Sequence, residues 1–146
     1  KMKKLTYLFL ALIIVACSDD EGGINANDDS SNDPILGTWS LVSWELDGQI
    51  QNLDSCDFLS YIMFNSDLSF ERMWYETVSG DCIIEGNDTG TYVYNIDNNL
   101  ITLEFEDIDD GLQIEFLNVL ELSNISLEFS WFEEEQLLHT FGFIKN

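Results

Sequence analysis

Positive charge is what this chain has least of. Its 146 residues include five Lys and Arg against 28 Asp and Glu, a formal net charge of −23. Three of the five bases, Lys1, Lys3 and Lys4, sit at the very start, so the rest of the chain carries only Arg72 and Lys145. Phosphate backbones are gripped by Lys and Arg, which excludes nucleic acid as a partner. Histidine occurs once, at His139, and cysteine three times, at Cys17, Cys56 and Cys82. That inventory falls short of the four closely spaced ligands of a structural zinc site, so neither metal nor cofactor is expected. There is no internal repeat, no glycine-rich phosphate loop, and no Ser or Cys nucleophile set in a motif. Clustered acids such as Asp109-Asp110 and Glu133-Glu134-Glu135 fall in predicted turns. Two-carboxylate catalysis needs a fixed separation across a cleft, which adjacent turn acids do not supply. The chain is not expected to be an enzyme.

What is present begins with the amino-terminal lysines and the apolar run from Leu5 to Ala16. That run is shorter than the roughly 20 residues a helix needs to cross a bilayer, and it reads as a secretory signal. It ends in Ile14-Val15-Ala16-Cys17, followed by Ser18-Asp19-Asp20-Glu21. The first of these tetrapeptides resembles the lipobox of bacterial lipoproteins. The resemblance implies cleavage before Cys17 and attachment of lipid to its thiol, several chains on one residue giving a firm anchor where a single chain would not. The acidic run after it is similar to the export signal of Bacteroidetes lipoproteins, which implies an outer-membrane, surface-exposed location. Removing residues 1–16 takes away three bases and no acid, leaving 28 acids against two bases and a net charge of −26.

Residues 17–33 read as a linker. Positions 18 to 33 hold six acids, no base and no aromatic, with mostly Ser, Asn and Gly between. Such a composition cannot bury enough apolar surface to offset its ordering entropy. Pro34, the one proline, marks the start of a folded unit over residues 34–146. An odd cysteine in an exported protein needs an explanation. With Cys17 assigned to lipid, Cys56 and Cys82 remain as a disulfide in an oxidising compartment.

The folded unit reads as eight short strands: 38–46, 59–65, 68–77, 89–97, 100–107, 112–122, 125–132 and 136–144. Turn formers separate them, among them Asp47-Gly48, Asn65-Ser66-Asp67, Gly86-Asn87-Asp88, Asp97-Asn98-Asn99, Asp109-Asp110-Gly111 and Ser123-Asn124. Alternation is clean where Ile101, Leu103 and Phe105 oppose Thr102, Glu104 and Glu106, and where Ile125, Leu127, Phe129 and Trp131 oppose Ser126, Glu128 and Ser130. Period-two patterning of this kind predicts half-buried antiparallel strands. In 112–122 the alternation of Leu112, Ile114 and Phe116 breaks at Leu117, Val119 and Leu120. A bulge near Phe116 restores the phase and keeps the segment a strand; a short helix is the competing reading. Short connections throughout favour an all-β, eight-stranded antiparallel up-and-down barrel, which leaves no sheet edge exposed.

At this point the segment Ile35-Leu36-Gly37-Thr38-Trp39-Ser40-Leu41-Val42-Ser43 becomes informative. It resembles the opening strand of the lipocalin-like lipoproteins of Bacteroidetes, with Gly37-Thr38-Trp39 matching the Gly-x-Trp signature of lipocalins. The likeness runs over roughly residues 35 to 145. It implies that Gly37 and Trp39 close the barrel base, where the family carries an Arg over the Trp and this chain has Lys145. It also implies a small hydrophobic or amphiphilic ligand. An eight-stranded barrel is just wide enough to fill with side chains or to hold one such molecule. Aromatics fall on alternating positions at Trp39, Phe70, Trp74, Phe105, Phe129, Trp131 and Phe141. The expected ligand contacts are Phe70, Arg72, Trp74, Tyr92, Phe129 and Trp131, with Arg72 as a lone cation for an anionic headgroup; pairing of Arg72 with a nearby acid such as Glu76 is the competing reading. His139, in phase with Phe141, reads as a core or barrel-end residue. A second function fits the charge: an acidic, monomeric surface module that captures a cationic protein, in the manner of a lysozyme inhibitor.

Overall fold

A computed structural model gives the fold and describes residues 33–108, 110–132 and 137–146. The expected signal peptide, Cys17 and nearly all of the linker lie outside the described residues. Among the described residues nine strands follow one another: β1 (Gly37–Leu46), β2 (Gln49–Ile50), β3 (Tyr61–Phe64), β4 (Ser69–Val78), β5 (Asp81–Asn95), β6 (Leu100–Asp107), β7 (Gly111–Leu122), β8 (Ser126–Phe132) and β9 (Leu138–Lys145). The short β2 folds back on the end of β1, and β3 pairs with the other end of β1. From β3 to β9 each strand pairs antiparallel with the next. β9 then returns to β1, from Trp39↔Lys145 to Leu46↔His139. The sheet is thus a closed eight-stranded barrel, the architecture expected from the spacing of the turns. Among the described residues no helix is long and apolar enough to cross a membrane.

Turn chemistry explains the connections. Asp47 and Gly48 both take positive φ, which matches the twist of a two-residue hairpin. The Asp67 carboxylate accepts from the Ser69 N–H at 3.0 Å, and Asp107 accepts from the Asp110 N–H at 3.0 Å. One expected turn is misplaced. Gly86-Asn87-Asp88 lies inside β5, paired with Trp74, Met73 and Arg72. The chain reverses earlier, at Ser79 (φ 56°) and Gly80 (φ 94°), so β4 and β5 form a long hairpin. Glu85 is the extra residue of a bulge opposite Trp74 and Tyr75, and it restores the inward phase that Gly86, Asp88, Gly90 and Tyr92 share.

The 112–122 segment is a strand, as expected, but its phase is the reverse of the expected one. Gln113, Glu115, Leu117 and Val119 turn inward, while Leu112, Ile114 and Phe116 are exposed. The bulge comes at Leu120 instead of Phe116. Leu117, fully buried against the core, fixes the register, because a one-residue slip would carry every side chain to the opposite face.

Cys56 and Cys82 are joined, with 5.2 Å between their Cα atoms. The link ties the long β1–β3 connection, with its 3-10 turn Asp57–Leu59, to the tip of the β4–β5 hairpin. Next to it the buried Ser60 hydroxyl accepts from the Tyr75 N–H at 3.0 Å.

Candidate functional site

Strand direction gives the barrel two unlike ends. At one, β1 begins and β9 finishes; there the inward residues Trp39, Leu41, Ile62, Phe64, Tyr92, Ile101, Leu117, Leu127 and Phe143 are buried. Phe64 and Tyr92 meet edge to face at 4.8 Å, and Phe129 stacks on Phe143 at 5.2 Å. Trp39 donates its Nε1–H to the Ile35 carbonyl at 2.7 Å. Lys145 places its Nζ 4.8 Å from the centre of the Trp39 ring and donates to the Pro34 carbonyl at 2.9 Å. The cation over the signature tryptophan is therefore present as a lysine, an arrangement that aromatic faces favour. Gly37 makes room for it. Its φ is +120°, and a Cβ there would sit 3.1 Å from Lys145 Cε.

The other end, the mouth, is built differently. Its inward residues Trp44, Trp74, Trp131, Gln113, Glu115 and His139 are only partly buried. Trp44, His139 and Phe141 lie nearly parallel, with ring centres 6.0 and 6.1 Å from Trp44. Trp131 continues this wall, 4.9 Å from His139. Trp44 also donates its Nε1–H to His139 Nδ1 at 3.3 Å, which fixes that nitrogen as the acceptor. From the opposite side Trp74 reaches to within 5.2 Å of Phe141 and roofs the packed end.

Between the two ends stands Arg72, 5% exposed and pointing inward as its phase with Phe70 and Trp74 predicts. The expectation of a lone cation is overturned. Arg72 donates from Nε and Nη2 to Asp88 Oδ2 at 2.9 and 2.7 Å, and from Nη1 and Nη2 to Glu115 at 2.6 and 3.1 Å. Its partners come from β5 and β7, not from Glu76 on its own strand. The guanidinium also lies 5.3 Å from the Phe105 ring and 6.0 Å from Trp74. Burial works against its charge, but hydrogen bonding and charge from Glu115, then Asp88, outweigh this and hold its pKa above the usual value. An anionic headgroup would have to displace two carboxyl groups already in bidentate-type geometry.

The six expected contact residues therefore divide. Arg72, Trp74 and Trp131 face the mouth or its floor, whereas Phe70, Tyr92 and Phe129 are buried in the packed region. Tyr92 is satisfied there, its hydroxyl donating to the Asn65 carbonyl at 3.1 Å. Trp44, Gln113, Asp88 and Glu115 are mouth residues that pattern reading did not assign. Counting β7 inward from Leu117 and Val119, instead of from Leu112, would have found Gln113 and Glu115. Among the described residues no group of three or more His, Cys, Asp or Glu is arranged to hold a metal ion.

The sequence pattern of the lipocalin-like domain matches residues 35–129. The chain belongs to the lipocalin-like domain family. In fold it is similar to a lipocalin-like protein from Bacteroides uniformis, at 19% identity and a TM-score of 0.53, over 78% of this chain and 100% of that one. The bovine lipocalin allergen Bos d 2 also aligns, at 18% identity and a TM-score of 0.45, over 81% of this chain and 75% of that one. No curated protein matches it in sequence. Lipocalin-like folds are typically non-enzymatic and have the capacity to bind a ligand.

Proposed function

We propose that this lipocalin-like chain is an outer-membrane lipoprotein, tethered through Cys17, whose barrel mouth binds one small hydrophobic or amphiphilic molecule. The observation that carries the binding half is the contrast in burial along the lumen. Below Trp74 the inward side chains are buried; above it an aromatic wall of Trp44, His139 and Trp131, seated on the buried Phe141, stays partly open to solvent. Pockets for small ligands combine apolar and aromatic walls with a few convergent polar groups. Here the polar side is Gln113 together with the Arg72–Asp88–Glu115 group. Near-parallel rings suit a flat, apolar ligand body. Because Arg72 is already engaged, the polar end of that ligand is neutral or a hydrogen-bond donor, not an anion.

Native mass spectrometry of the protein purified from its own cells tests the binding reading. A co-purifying small molecule, lost when Trp44 and Trp131 are both replaced by Ser, is the expected result; repeated preparations free of any ligand would count against it. The tether has its own test. Radiolabelled palmitate should enter the wild-type chain and not Cys17→Ala; equal labelling of both would remove the lipidation reading.

A further inference from the structure

Near the mouth, β7 wears its sides the wrong way round for a barrel strand. Gln113 and Glu115 point into the lumen, and Leu112, Ile114 and Phe116 point out at 62%, 53% and 56% exposure. Arg72 requires Glu115 inside, so the apolar positions are forced outward. Their neighbours extend the patch. Phe116 pairs with Thr102, which pairs with Val93, itself exposed. Phe132, also exposed, lies two residues beyond Ser130 on the outer face of β8. Contiguous exposed apolar surface on a soluble domain marks an interaction site.

Its border is acidic. Ile114 pairs with Glu104 and Leu112 with Glu106, both exposed carboxylates on the outer face of β6. We propose that this stripe docks a cationic amphipathic helix of a partner protein, its apolar face on Leu112, Ile114 and Phe116 and its Lys or Arg side chains on Glu104 and Glu106. Charge selects the occupant. A second copy would bring a net charge of −23 and the same acids against their like. An anionic lipid surface would be repelled in the same way. Geometry selects a helix over an added strand, because β5, β6 and β7 already have both edges hydrogen-bonded within the closed sheet. From Leu112 to Phe116 the stripe runs about 13 Å, close to two or three turns of helix.

The test uses the full chain and synthetic helical peptides, read by titration calorimetry at low and high salt. An amphipathic Leu/Lys peptide should bind, more weakly as salt rises, and a Ser/Lys peptide of equal charge should bind at least about tenfold more weakly. The double variant Ile114→Ser/Phe116→Ser should lose about tenfold in affinity for the Leu/Lys peptide with its net charge intact. Amide exchange on the wild-type chain supplies a readout that needs no variant: peptide protection should fall on β6 and β7. Equal binding of the two peptides, unchanged affinity in the double variant, or protection elsewhere would overturn the proposal. So would a stripe-dependent homodimer, or stripe-dependent flotation with phosphatidylcholine–phosphatidylglycerol vesicles.

Discussion

The two ends of this barrel are made from the same residue types and do opposite things with them. At the base, Trp39, Phe64, Tyr92 and Phe143 are buried, and the cation Lys145 is spent on a ring face and a carbonyl. At the mouth, Trp44, Trp131 and His139 are left half-covered, and the guanidinium that faces them is already taken up by two acids, Asp88 and Glu115. Aromatic content alone therefore does not distinguish a plug from a pocket. Completeness of burial does, and Arg72 marks where one regime gives way to the other.

The largest effect is expected at that boundary. Arg72→Met should destabilise by about 3–5 kcal/mol, because it strands two partly buried carboxyl groups without their cation. Urea denaturation would show it. A cost below about 1 kcal/mol would mean that water reaches the ion pair and that no sharp boundary separates mouth from base.

Next comes the staple at the mouth end. Cys56→Ser/Cys82→Ser removes a cross-link spanning 26 residues, which on the chain-entropy argument costs about 3–4 kcal/mol. Amide exchange should rise first in residues 51–60 and in the β4–β5 hairpin tip, while the base stays protected. Uniform loss across both ends would erase the distinction.

The base has a pH signature of its own. Burial pushes the Tyr92 hydroxyl up to about 12 from 10.0, so the folded state holds its proton longer than the unfolded chain. A raised folded value gives stabilisation that is fully present below about pH 10 and is lost as pH climbs through 12. Unscreened, that shift is worth about 3 kcal/mol; with the part due to the exposed Asp33 and Asp67 screened by solvent, the loss is about 2 kcal/mol, and Tyr92→Phe should flatten that alkaline limb in denaturation curves taken from pH 9 upward. A smaller effect, about 1–2 kcal/mol, is expected for Lys145→Met, which removes the cation over Trp39 and the bond to Pro34. Thermal melts of the two chains would measure it.

How much of this was legible beforehand differs by strand. The pattern of β6 and β8 announced their inward faces, since one apolar set alternates with one polar set; only Ile125 departs, lying in the turn before β8 and exposed. The Cys56–Cys82 pair followed from counting thiols. β5 was half missed because Gly86, Asn87 and Asp88 are turn residues by composition, yet the bulge at Glu85 and pairing with β4 keep them extended. The phase of β7 was misread because hydrophobicity there points outward, in service of a buried ion pair that only three-dimensional proximity reveals. The lumen-facing roles of Asp88 and Glu115 were invisible for the same reason: each is 16 or more residues from Arg72 in sequence.

The division between plug and pocket is tested most directly by titrating the neutral apolar fluorophore N-phenylnaphthylamine into the full chain and into Trp44→Ser/Trp131→Ser. The wild-type protein should bind it with enhanced emission. The double variant should bind at least about tenfold more weakly while it still folds, with a wild-type far-ultraviolet circular dichroism spectrum, since both rings are only partly buried against the rim of the core. Undiminished binding in the double variant, or none in the wild type, would contradict the account.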